Sequence, residues 1–159
     1  MKRILATLFP KQITNRFTGN KIALYAFFPL TLMLIFRSCM HIIASDGGAQ
    51  SIATIPLDSY SDGASANVIA IFGQWGLSQL LLAELYLLVL IRYRSLIPLF
   101  FLLFVLEQCG RMAVGQFKPV VTLETAPGAA SNLPLLLIAL LMLVLSLMPS
   151  KPKPEDASE

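Results

Sequence analysis

Residues 133–148 read LPLLLIALLMLVLSLM, about 16 residues without one charge. A run of this kind belongs in lipid or deep inside a large core, and a chain of 159 residues builds no such core. Working outward, three more apolar stretches appear, at 22–44, 67–91 and 96–114. A helix rises 1.5 Å per residue, so about 20 residues cross the ~30 Å of hydrocarbon in a bilayer. The first three stretches reach about that length. The fourth gives only about 24 Å of helix, so it is expected to stand nearly upright or to thin the bilayer around it. No stretch alternates apolar and polar residues, which argues against a β-barrel. The reading is therefore all-α: a transmembrane four-helix bundle.

Composition agrees. The chain is 56% hydrophobic and 13% charged, and its mean hydropathy is +0.72. Soluble domains carry about 25% charged residues, and disordered chains are polar and charge-rich, so both classes are excluded. No basic run interleaved with aromatics is present, so nucleic acid is not an expected partner. Cys39 and Cys109 form no Cys-x-x-Cys pair, and a single histidine supplies no zinc spacing. They read as small buried hydrophobes. No metal site and no catalytic constellation is expected, and no cofactor is indicated. The first long apolar run exceeds a signal-peptide core, so no cleavable signal is expected.

Three segments follow. Residues 1–21 form a terminal segment in which Ile4, Leu5, Leu8 and Phe9 recur at helical spacing among cations. Two readings stand: a short helix lying in the membrane interface, or a frayed end that only supplies charge. Residues 22–148 form the four-span domain. Residues 149–159 form a proline-rich, charged tail expected to be disordered. Arg92, Tyr93 and Arg94 interrupt the apolar run between spans two and three, a very short connection that predicts those helices are antiparallel neighbours. The connection at 45–66 is rich in Gly, Ser and Asp, and that at 115–132 carries Pro119, Pro127 and Gly128 as breakers. Asp46, Asp58 and Asp62 match no calcium-loop spacing and read as a solvated turn.

Charge sets the expected orientation. Lys2, Arg3, Lys11, Arg16, Lys21, Arg92, Arg94, Lys151 and Lys153 fall at one end of an even-numbered bundle, and only Lys118 falls at the other. The positive-inside rule then places both termini of this multi-pass chain in the cytoplasm.

Function is sought among the polar residues inside the spans, because charge at bilayer depth is expensive and seldom faces lipid. These are Arg37 and His41 in span one, Gln79 and Glu84 in span two, and Glu107, Gln108 and Arg111 in span three. Counting along the helices puts Glu107 near the midplane and Arg37 about 6 Å, Arg111 about 9 Å and His41 about 12 Å to the outer side, with Glu84 about 7 Å to the inner side. Arg37 and Glu107 are close enough in height to pair, and Glu107 lies four residues from Arg111 on one helix face. Two cations and two anions sum to zero, so a charge-neutral polar core is expected. Gly73, Gly76 and Gly110 are read as close-packing positions between helices.

With Phe72-Gly73-x-x-Gly76-Leu77 in span two and Gly110-Arg111 in span three, the chain from 22 to 148 resembles small bacterial four-span inner-membrane proteins, loosely the DoxX-like group. The resemblance implies a bundle with Gly73, Gly76, Gly110 and Arg111 at core positions, and some DoxX-like proteins are linked to sulfur-compound and quinone redox chemistry. The chain departs from the group in its uncharged fourth span and longer loop. Three functional classes follow. The first is a bundle that binds a small hydrophobic or amphipathic ligand or membrane lipid, or docks a partner subunit. The second is a proton-coupled transporter or channel working as a homo-oligomer, with Glu84, Glu107 and His41 as relay. The third is a redox or quinone-reactive subunit of the DoxX-like kind.

Overall fold

The computed structural model describes residues 2–150. Five helices run in chain order: α1 (Lys2–Leu8), α2 (Lys21–Ile43), α3 (Asp62–Arg92), α4 (Ile97–Phe117) and α5 (Pro127–Leu147). Two short 3₁₀ turns, Leu57–Ser59 and Arg94–Leu96, sit in the connections. The last four helices are each long and apolar enough to cross a membrane. Much of their apolar surface is exposed, Phe28, Leu32 and Phe36 on α2 and Leu137, Ile138 and Leu141 on α5 among it. That is costly in water and neutral in lipid.

Local chemistry explains the helix ends. Asn20 caps α2, its side-chain oxygen accepting the Ile22 amide at 2.9 Å. Pro98 and Pro127 sit in the first turns of α4 and α5, where a missing N–H costs nothing. Pro127 therefore starts α5 rather than breaking the chain before it. The fourth span is 21 residues long, about 32 Å, and no thinning is required. Likewise α3 begins at Asp62, ahead of the apolar run that starts at 67. Helix α1 forms, with Ile4 and Leu5, and Phe9 just beyond it, exposed. Of the tail at 149–159 expected to be disordered, Pro149 pairs with Gly19 and Ser150 donates to the Thr18 carbonyl, while 151–159 lie outside the described residues.

Helix α2 is the hub. It packs along α3 on one side and α5 on another, while α4 packs along α5. Across the diagonal, α2 meets α4 through large side chains. Phe27 is fully buried, stacked on Tyr86 of α3 (centroids 5.4 Å apart) and edge-on to Phe101 of α4 at 5.3 Å. The Tyr86 hydroxyl donates to the Phe100 carbonyl at 3.0 Å, so no polar atom of this ring is left unpaired. The buried hydroxyls of Thr31 and Ser38 donate to carbonyls four residues back in their own helix. Helices α3 and α4 adjoin mainly where the turn joins them. The short connection makes them neighbours at one end, but each spends its packing surface on a different partner.

We call the end carrying residues 44–61 and 118–126 the loop end, and the other the terminal end. At the terminal end the chain before α2 is a strap: Thr14 exchanges hydrogen bonds with Ser95, Asn20 donates to the Leu145 carbonyl, and Ser150 donates to Thr18. At the loop end, residues 44–61 fold into a cap. Ala49, Ile55 and Leu57 bury themselves against Val68, Ile69 and Phe72 of α3. Thr54 binds the second loop, its carbonyl accepting the Leu123 amide and its hydroxyl donating to the Glu124 carbonyl, both at 2.8 Å.

The cap turns on Asp46. Its carboxylate accepts the amides of Gly48 (2.8 Å), Gln50 (3.1 Å) and Ser51 (2.6 Å), and Gly47 and Gly48 take positive φ to bring the chain round. Burial pushes this carboxyl up, but the Ser51, Gly48 and Gln50 amides and the Ser51 hydroxyl outweigh it and hold it below the usual carboxylate value. A depressed acid stabilises the fold above its unfolded pKa and loses that contribution as pH falls through the folded one. Asp46→Asn is therefore expected to destabilise the cap by about 1 kcal/mol at pH 7, with the difference from wild type shrinking in acid. Hydrogen exchange at Gly48 and Ser51 across pH is the measurement; a difference that grows in acid contradicts the assignment.

Candidate functional site

Near the loop end, α2, α3, α4 and the first turns of α5 border a half-open cavity of about 400 Å³, which Ile52 and Ala53 of the cap also line. Its polar lining is Arg37 and His41 from α2, Gln108 and Arg111 from α4, and Ser131 and Asn132 from α5. The rest is Phe36, Phe72, Trp75, two methionines, and aliphatic or small residues. Among the described residues, no carboxylate lines it.

Charge is arranged behind this wall. Glu107 Oε1 lies 3.6 Å from Arg37 Nη2 and 3.8 Å from Arg111 Nη1, with each side chain about a quarter exposed. One carboxylate thus serves two guanidiniums of different helices. Both separations exceed hydrogen-bond range, so Glu107 offsets charge without using up the donors. Arg37 Nε and Arg111 Nη1 are buried with no hydrogen-bond partner among the described residues. Arg111 also lies over the Trp75 ring, 5.4 Å from its centroid, a cation–π geometry that ties α4 to α3.

His41 is held from three sides. A carbonyl only accepts, so the 2.8 Å contact between His41 Nδ1 and the Gly47 oxygen assigns the proton to Nδ1. Its ring lies 4.8 Å from Trp75 and 5.6 Å from Phe72. Beneath it is Gly76, where an added Cβ would stand 2.7 Å from His41 Cβ and 3.1 Å from the Ser38 carbonyl oxygen. Only glycine lets α3 come this near α2. Gln108 is 1% exposed, lines the cavity, and neither its amide nitrogen nor its amide oxygen has a partner among the described residues. A buried amide left so costs a few kcal/mol.

The residues singled out in the sequence separate into two groups. Arg37, His41, Glu107, Gln108 and Arg111 come together. Gln79 is half-buried with its carbonyl oxygen enclosed and unpartnered, but it does not line the cavity. Glu84 does not join. The buried stripe of α3 runs through Gly76, Ala83, Tyr86 and Val89, and Glu84, one residue past Ala83, is turned out and exposed. The charges that meet are therefore Arg37, Arg111 and Glu107, with a sum of +1, and the cluster is not neutral. Nor does Gly110 serve packing: it is exposed and an added Cβ would meet nothing within 4 Å. Gly73 makes only an ordinary contact, 3.9 Å to the His41 carbonyl oxygen. The thiols of Cys39 and Cys109 are free, the first half-buried and the second exposed. Among the lining residues that helical spacing did not single out for this site are Phe72, Trp75, Ser131 and Asn132.

The fold and the site together define the class: a helical chain with four membrane-length helices and a cationic, aromatic-walled cavity at one end. No family model, no curated protein and no solved structure matches the chain.

Proposed function

We propose that this is a non-enzymatic, multi-pass protein of the bacterial inner membrane that binds a small ligand in the cavity at its loop end. The nine-to-one asymmetry of basic residues supports an orientation with both termini cytoplasmic and the cavity near the outer leaflet. One observation carries the binding reading: a space of about 400 Å³ is lined by two arginines and by Gln108, a 1% exposed residue whose amide has no partner among the described residues. Ligand sites fall in the range of about 300–1,000 Å³ and combine apolar walls with a few placed polar groups. Docking of a partner subunit is favoured by a separate observation, the exposed Glu84 on an apolar helix, since a carboxylate at such depth seeks a protein neighbour.

The binding reading is tested by extracting protein purified from its native membrane and identifying released molecules by mass spectrometry. Ala129 lines the cavity from an exposed position in the first turn of α5, so Ala129→Phe fills the space without disturbing the core. Wild type is expected to release one species in near-stoichiometric amount, and the variant at least tenfold less. Equal recovery from both, or none from either, rejects the reading.

A further inference from the structure

Resting on that ligand-binding reading, the geometry points, we infer, to a particular chemical class: a single-chain aliphatic carboxylate, its head in the cavity lined by Arg37 and Arg111 and its tail in a groove between α2, α4 and α5.

The head group follows from charge and donors. Glu107 offsets one of the two arginines from outside the cavity, so a bound monoanion brings the site to zero. Arg37, Gln108 and Arg111 all line the cavity, and guanidinium and amide groups are the partners such a head needs. Guanidinium donors match the flat geometry of a carboxylate. The first turns of α5, through Gly128 and Ala129, border the same space, and the start of a helix adds partial positive charge. A cation would meet two arginines and no carboxylate; a neutral head would leave the excess charge unmet.

The tail follows from a second void. A groove of about 380 Å³ lies between α2, α4 and α5, lined by Ala26, Pro29 and Leu30 on one side and Ile138, Ala139 and Met142 on another. It is almost wholly apolar. Met33 and Leu135 line both this groove and the cationic cavity, so the two voids adjoin at those residues. From Met33 to Ala26 the groove descends about 10 Å along α2, towards the terminal end. A polar, cationic end opening on an apolar run fits an amphiphile with one charge at one end. One groove accepts one chain, which favours a free fatty acid over a diacyl phospholipid.

The sequence contains one tryptophan, Trp75, and it lines the cavity, so its emission reports occupancy directly. The full chain in phosphatidylcholine nanodiscs is titrated with laurate, octanoate, butyrate, acetate and dodecyltrimethylammonium. Laurate is expected to give a saturable change in Trp75 emission. Affinity should fall at least tenfold for acetate and for dodecyltrimethylammonium, and should rise stepwise from butyrate to laurate. Arg111→Gln should weaken laurate at least tenfold, while Arg111→Lys, which keeps the charge, retains the preference for the anion and shows that the fold tolerates change here. Ala26→Leu, at the far end of the groove, should weaken laurate more than butyrate.

Equal responses to the cationic and anionic amphiphiles overturn the charge assignment. Acetate as effective as laurate overturns the tail assignment. Phosphatidylglycerol in the disc displacing laurate identifies a phospholipid site and overturns the single-chain assignment. If laurate gives no response while native extraction still yields a species lost in Ala129→Phe, the carboxylate inference fails and the binding reading stands. If both fail, so does the site.

Discussion

Glu107→Ala is expected to destabilise the protein by about 3 kcal/mol. The substitution leaves Arg37 and Arg111, on two different helices, facing each other without the carboxylate that now lies 3.6 and 3.8 Å from them. Removing one partner from an ion cluster that is about three-quarters buried costs more than the pairing itself is worth, because the remaining charges are left largely desolvated and without their counter-ion. The same reasoning predicts recovery. Adding Arg37→Met to Glu107→Ala returns the cluster sum to its original +1 and should restore at least about 1 kcal/mol, a coupling of the size seen between contacting groups. Reversible unfolding in mixed detergent, followed by Trp75 emission, measures both. Glu84→Gln is the control: an exposed side chain outside the cluster, expected within about 0.5 kcal/mol of wild type in the isolated protein. Equal effects at positions 84 and 107 contradict the site described here.

The second large effect is expected at Gly76. Any side chain there meets His41 Cβ at 2.7 Å and the Ser38 carbonyl oxygen at 3.1 Å, and backbone does not yield as a flexible side chain does. Gly76→Ala should cost about 1–3 kcal/mol through overpacking of α2 against α3. It should also displace His41 and so alter Trp75 emission, since the two rings are 4.8 Å apart. Gly110→Ala is the matched control. Its Cβ meets nothing within 4 Å, and replacing a mid-helix glycine lowers the backbone entropy lost on folding, so a gain of about 0.5–1 kcal/mol is expected. The two alanine substitutions should thus move thermal stability in opposite directions.

The contrast between these glycines shows what sequence reasoning reaches and where it stops. Arg37, Glu107 and Arg111 were legible because helix rise and the 3.6-residue turn set their heights and shared faces, and because charge in lipid has few tolerable places. Glu84 met the same criteria and faces outward. In water, the polar face of a helix marks its outside; in lipid, both faces are apolar, so the pattern along α3 hardly distinguishes Leu77, Leu81 and Leu85, which are exposed, from Ala83, Tyr86 and Val89, which are buried. The rotation of α3 is decided instead by fit, with Gly76 against Ser38 and His41 and the Tyr86 hydroxyl on the Phe100 carbonyl. A similar lesson attaches to Pro127. As a residue type it signals a break, and at the first turn of α5 it begins a helix.

The amino-acid sequence alone determined that four stretches form membrane-length helices, because the cost of backbone and charge in hydrocarbon depends on composition and length, both of which are local. Tertiary structure decided which helix lies beside which, which glycine is crowded, and that one carboxylate is shared by two arginines at the edge of a cavity. Those outcomes depend on side chains from distant parts of the chain filling one space, and shape complementarity of that kind is not written in any single segment.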